Sequence, residues 1–187
     1  VAKVSTFGDE LSSISWLPVL VDPPESYLPW DASQTSVVAR SDAVRPLGDL
    51  WLASSSSRIL DGQVQDQSLT RVFGWHKPVN LYALVTQLGA LGALDSSSEM
   101  SYRQTMALAV PTLYRSIDTA LASPAPDAAD DGASEAALEA LREQPCIWVG
   151  SGFVRPAVTA LVSPLSLQPH LYVVSADLQS FGSLLRR

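Results

Sequence analysis

Few residues in this chain could do chemistry: two histidines, His76 and His170, one cysteine, Cys146, and carboxylates spread along the sequence. A hydrolytic triad needs a nucleophile, a base to take its proton and a group to orient that base. Only the histidines could serve as the base, no serine lies in a G-x-S-x-G elbow, and Cys146 carries no positional signature of a cysteine protease. Zinc would need three or four ligands, and no His, Cys or acidic pair has the short spacing such sites use. Asp127, Asp130 and Asp131 lack the D-x-D-x-D-G pattern and terminal Glu of a calcium loop. Gly150-Ser151-Gly152 lacks the further glycine, lysine and helix of a phosphate loop and reads as a turn. The residues point to no catalytic centre, no metal and no cofactor. Five tryptophans are present, mostly core by expectation; because aromatic anchors dominate protein interfaces, Trp75 with its neighbour His76 is the expected protein contact.

The elements that must position these residues are short. Glu10 and its neighbours in Phe7 to Ser13 read as a small helix, followed by Ile14 to Leu20 as a strand with Pro18 at an edge or bend. Asp22 to Gln34 carries three prolines and reads as a loop pinned by Tyr27 and Trp30. Thr35 to Ala39 and Asp49 to Ala53 read as strands around a turn-like stretch, and Ser54 to Ser57, like Ser96 to Glu99, as solvated loop. Pro78 suits the first turn of a helix whose stripe is Leu81, Leu84, Val85, Leu88 and Leu91. A second stripe runs through Met106, Val110, Leu113, Ile117 and Leu121, with Pro111 either kinking that helix or starting a new one. Ser123 to Ser134 reads as a flexible loop, with Ser134 capping a short helix through Leu138 and Leu141. Ile147 to Val149 and Phe153 to Val154 form a hairpin across the Gly-Ser-Gly turn. Leu171 to Val174 is a strand, and Ser175 caps a final amphipathic helix through Leu178, Phe181, Leu184 and Leu185.

These elements predict an α+β fold: one compact domain, with short strands and hairpins flanking a helical middle and a C-terminal amphipathic helix. The expected parts are a strand and loop region over 1–60, a helical region over 68–122, an acidic loop over 123–133, and a helix, hairpin, strand and helix over 134–187. Two Val-Arg-Pro triplets, at Val44 and Val154, raise the idea of a duplicated β unit on either side of the helices, although their spacing from the preceding tryptophans differs.

Composition narrows the partners. With 187 residues, 47% hydrophobic and 17% charged, the chain has ample material for a core. A net charge of -7 and twelve scattered basic residues, of which only Lys3 and Lys77 are lysines, argue against nucleic acid and an anionic membrane surface. The single cysteine fits a reducing, cytoplasmic setting, and no apolar run approaches a membrane span. Beginning at Val1 and stopping on Arg186-Arg187, the chain reads as a segment of a longer polypeptide.

Four blocks, in order, resemble the repeat regions of the sacsin family. They are Ile14-Ser15-Trp16-Leu17-Pro18-Val19; Val72-Phe73-Gly74-Trp75-His76-Lys77-Pro78; Ile147-Trp148-Val149-Gly150 through Phe153-Val154 and Pro156; and Pro169-His170-Leu171-Tyr172-Val173-Val174 with Leu178 and Phe181. The Ala- and Pro-rich stretch over 123–132 and the scarcity of lysine depart from that pattern. The resemblance implies a repeat subdomain of a giant cytoplasmic co-chaperone whose other parts include ATP-binding modules, a ubiquitin-like domain and a J domain. It implies neighbouring domains of the same polypeptide as partners, along with heat-shock chaperones and cytoskeletal or other clients. The marks of the ATP module, an Asn and Asp on one helix and a D-x-G-x-G loop, do not occur here, so the implied role is non-catalytic. An enzyme of another class and a pure inter-domain spacer are the competing expectations.

Overall fold

The computed structural model describes residues 10–11, 14–31, 33, 35–94, 100–122, 131–161, 171–181 and 185. The fold is α+β, as expected. Its packing resolves into two compact units, Val1–Val79 and Asn80–Arg187, each described by itself.

In the first unit, β1 (Ser15–Pro18) pairs antiparallel with β2 (Val38–Arg40), and β3 (Val44–Arg45) pairs parallel with β4 (Arg58–Ile59). A parallel pair needs a long crossover, and here it carries a helical turn, α1 (Leu50–Ala53). The strand expected over Asp49 to Ala53 is therefore corrected to helix: a four-residue apolar run has no period of its own, and the crossover decides its geometry. Among the described residues, two small cores lie in this unit. Leu17, Val19, Val44, Leu60 and Trp75 form one; Leu28, Leu50 and Ile59, with Trp30 and Trp51 against them, form the other. The Trp30 indole N–H donates to the Val21 carbonyl at 3.0 Å, pinning the proline-rich loop as expected. Ser54, expected in a solvated loop, is instead buried and donates its hydroxyl to the Pro29 carbonyl at 2.9 Å. Helix α2 (Gln67–Val72), at the start of the region expected to be helical over 68–122, is capped by Asp66, whose side chain accepts from the Ser68 and Leu69 N–H groups.

In the second unit, α3 (Leu81–Ala93) packs against both α4 (Met100–Ala122) and α5 (Asp131–Leu141). Pro78, expected in the first turn, lies before α3, which is capped by Asn80, its side chain accepting the Ala83 N–H at 2.8 Å. Leu84, Val85, Leu88 and Leu91 are buried, as are Met106, Val110, Leu113 and Ile117 of the second stripe. Helix α4 runs through Pro111 as one element. Ser134 lies inside α5, which begins three residues before it at Asp131, so the expected cap at Ser134 is corrected. The hairpin of β5 (Ile147–Trp148) and β6 (Phe153–Val154) forms as read, with Gly150 at φ +87° in its turn. Next, β7 (Thr159–Ala160) pairs parallel with β8 (Tyr172–Val173), and a 3-10 helix over Ala176–Phe181 buries Leu178 and Phe181. Most of the Phe7 to Ser13 helix, Ser96 to Glu99, Ser123 to Asp130, His170 and Leu184 lie outside the described residues.

The two β portions follow one plan. Each starts at a helix end, where the Ile14 N–H donates to the Leu11 carbonyl at 3.3 Å and the Gln144 N–H to the Leu141 carbonyl at 3.1 Å. An antiparallel pair follows, extended by Val19 N–H to Val37 O and by Val149 N–H to Gly152 O, both 3.1 Å. Then comes an arginine at nearly the same backbone angles, Arg40 (φ -73°, ψ 148°) and Arg155 (φ -71°, ψ 147°), leading into a three-residue 3-10 turn. The parallel pair comes next, with Leu60 N–H on Arg45 O at 2.9 Å and Val174 N–H on Ala160 O at 3.0 Å. Finally the chain returns to its first strand, through Asp61 N–H on Pro18 O at 3.0 Å and Ser175 N–H on Trp148 O at 3.2 Å. The duplication suggested by the Val-Arg-Pro triplets is thus present in the backbone, but in a different register. Val154-Arg155-Pro156 matches Ala39-Arg40-Ser41, whereas Val44-Arg45-Pro46 matches Thr159-Ala160-Leu161.

Helix α3 meets the second module at close quarters. A Cβ placed on Gly92 would lie 1.6 Å from the Pro145 carbonyl oxygen, whereas one on Gly89 would meet only the Gln144 side-chain tip at 3.0 Å and Leu141 at 3.5 Å. Alanine favours helix over glycine by about 1 kcal/mol, so Gly89→Ala should be near neutral. Gly92→Ala must push backbone apart, a cost of roughly 1–3 kcal/mol or more. Urea denaturation of the two variants side by side checks this contrast.

Candidate functional site

Trp75, expected as an exposed contact, is a core residue. It is 7% exposed, and its indole N–H donates to the Val44 carbonyl at 2.8 Å. The correction has a physical cause: β3 runs beside the turn that follows α2, and only a long side chain with one donor can fill that gap and satisfy the Val44 carbonyl. Arg45 reinforces the same junction, bonding the Asp49 carboxylate and the Lys77 carbonyl at 2.9 Å. His76 is exposed, its ring Nδ1 3.5 Å from the Thr70 carbonyl. His76 and Trp75 are thus adjacent in sequence but do not share a surface.

The exposed indole is Trp16. It is 40% exposed on β1, with Ile14 at 55%, Val37 at 65% and Val38 at 37% around the same hairpin. Its ring packs 5.9 Å from Phe73, which packs 5.0 Å from Trp75, so the buried Trp75 supports the exposed Trp16 through one intervening ring. Helix α2, which delivers Phe73, also exposes Leu69 and Val72. This apolar face was missed because Ile14 to Leu20 reads as a continuous apolar run; a two-sided burial pattern was not legible without the register of β2.

In the second unit, a cavity of about 720 Å³ has a buried floor of Leu88, Tyr114, Ile117 and Cys146 and an exposed rim that includes Glu135, Glu139 and Arg142. Its reactive groups are held neutral. Burial pushes the Cys146 thiol up to about 12, and its S–H donates to the Leu141 carbonyl at 3.3 Å. Burial, with the Cys146 thiolate as a further repulsive charge, raises the Tyr114 hydroxyl as well, and that hydroxyl donates to the Cys146 carbonyl. Neither is a nucleophile at neutral pH. Among the described residues no group of three or more His, Cys, Asp or Glu is placed to hold a metal ion, and no helix is long and apolar enough to cross a membrane.

Compared with protein-family models, curated proteins and solved structures, the chain finds no match.

Two outcomes are expected from this geometry. Trp75→Ala should cost about 3–5 kcal/mol in denaturant unfolding, the range for large buried aromatic truncations, whereas His76→Ala should fall within about 0.5 kcal/mol of the parent. The raised thiol makes stability alkali-sensitive: a group whose folded pKa lies above its unfolded value, 9.0 here, contributes fully below that value and loses its contribution up to about 12. Stability should therefore fall by up to about 1.4 kcal/mol per pH unit once pH passes the unfolded thiol value. Cys146→Ala should delay the onset toward the tyrosine range, read by unfolding curves at stepped pH.

Proposed function

We propose that this chain is a non-catalytic, protein-binding scaffold segment of a sacsin-like cytoplasmic co-chaperone, working in chaperone-assisted folding and quality control. The observation that carries the reading is the apolar face centred on Trp16. Isolated exposed apolar side chains are ordinary on a protein surface, but here several belong to one small unit, with Trp16 packed against Phe73 next to the helix that exposes Leu69 and Val72, and such grouping favours protein contact. Trp16, with Ile14, Val38, Leu69 and Val72, has the aromatic and aliphatic make-up of an interface core, where charged residues are depleted. The four blocks that resemble the sacsin family suggest the setting: neighbouring domains of one polypeptide, heat-shock chaperones, and cytoskeletal or other clients. The contact assigned from sequence to Trp75 and His76 moves in this reading to Trp16, with Trp75 as its buried support.

Chemical cross-linking of the folded chain in cytosol, followed by affinity capture, tests the proposal. Enrichment of heat-shock chaperones or filament proteins is expected, falling by about tenfold in Trp16→Glu, as for loss of an interface anchor. Capture that is absent, or identical with and without Trp16, overturns it in favour of an inter-domain spacer.

A further inference from the structure

Four separate elements of the second unit meet around the cavity of about 720 Å³. Leu88 comes from α3, Ile117 and Leu121 from α4, Leu138 from α5 and Ile147 from β5. Leu88, Ile117 and Ile147 are buried, and Leu121 and Leu138 are half-buried. Protein interiors leave few voids larger than a water molecule. A volume of this size instead falls in the range of about 300–1,000 Å³ typical of sites for small organic molecules, whose linings are mostly apolar with a few placed polar groups.

The polar groups select among such molecules. Of the described floor residues, only Tyr114 and Cys146 carry hydrogen-bonding side chains, and each spends its one proton on the main chain. The tyrosine hydroxyl donates to the Cys146 carbonyl and the thiol to the Leu141 carbonyl. These side chains therefore keep no donor for a ligand carboxylate or phosphate. The rim has the opposite bias: Glu135, Glu139 and Glu143 stand there with Arg142, all exposed. Arg142 is paired with Glu139 at 2.7 Å, which leaves the carboxylates of Glu135 and Glu143 as an excess of negative charge. An anionic head group meets like charge at this edge, and an ammonium meets opposite charge.

We propose that this cavity binds a small apolar amine, with its hydrocarbon body against Leu88, Ile117 and Ile147 and its ammonium at the Glu135 and Glu143 edge. Burial of the body supplies the affinity, in proportion to the apolar area removed from water. The exposed carboxylates set the sign of the head group, because exposed ion pairs contribute little to affinity by themselves. This site lies wholly within the second unit and is independent of the protein-binding reading, which rests on the first.

The chain has four isoleucines, of which Ile117 and Ile147 line the cavity while Ile14 and Ile59 belong to the first unit. The intact chain, carbon-13 labelled at the isoleucine δ-methyl groups, is titrated at neutral pH with decylamine and with decanoate, each below its micelle concentration. Decylamine is expected to shift the Ile117 and Ile147 methyl signals saturably and to leave those of Ile14 and Ile59 in place. Decanoate should bind at least about fivefold more weakly, the effect of one exposed ion pair. That gap should narrow near 1 M salt, where the Debye length falls to about 3 Å. It should vanish in a Glu135→Gln, Glu143→Gln chain whose circular dichroism matches the parent, while the decylamine shifts at saturation persist. Shifts that are absent, fail to saturate or move all four methyls alike overturn the proposal, as does decanoate binding as tightly as decylamine or a preference that survives the double substitution. Ile117 and Ile147 shifts that grow with protein concentration in the absence of any amine would assign the cavity to a second copy and overturn it as well.

Discussion

Strands of two to four residues do not persist as isolated pairs, and every strand among the described residues is that short. What holds each β module is the hydrogen bond that returns from just after its fourth strand to its first, Asp61 to Pro18 and Ser175 to Trp148. That bond joins the antiparallel pair to the parallel one, so the two share a single core instead of two marginal ones. In the first unit its effect is visible in the packing, with Leu17 and Val19 from one pair and Val44 and Leu60 from the other meeting in one cluster around Trp75. A buried carbonyl left unpaired costs about 1–3 kcal/mol, and this is why Trp75, through its indole N–H on Val44, belongs to the framework.

Because main-chain groups carry that framework, side chains can vary. Trp16 and Cys146 show how far: an indole in one module and a thiol in the other both donate to the carbonyl at the preceding helix end, at 3.2 and 3.3 Å. Both positions therefore supply a donor, while their sizes differ widely. Where α4 supplies Tyr102 and Tyr114, the small Cys146 leaves room for them.

Patterns with a long period were legible in the sequence, and those decided by closure were not. The apolar stripes of α3 and α4 span several turns, so their buried residues could be named in advance, and the Gly-Ser-Gly turn fixed the second hairpin. Strands β3 and β7 have only two residues each, too few to show alternation, and α1 was read as strand for the same reason. Trp75 was read as a surface residue because His76 and Lys77 follow it; the partner that buries it, Val44, is remote in sequence. The duplication left a trace in the Val-Arg-Pro triplets but in the wrong register, since the preserved features are an extended arginine, a 3-10 turn and main-chain hydrogen bonds.

The exposed face of the first module is not a by-product of poor packing. On β1, Leu17 is buried at 5% between exposed Trp16 and Pro18, and the pairing with β2 shifts register between Ser15 and Leu17. Leaving an aromatic or aliphatic side chain in water forgoes about 1.5–3 kcal/mol relative to full burial, and several are left so in the first unit. A surface shaped only by solvation would place polar residues at these positions, as strand alternation on a half-buried sheet allows. Phe73 instead props Trp16 from beneath and is itself backed by the bonded indole of Trp75, which fixes the outer ring in place before any partner arrives. Rigid aromatic support of that kind lowers the entropy lost on contact, and it links the buried residue singled out in the sequence to the exposed one that the fold presents.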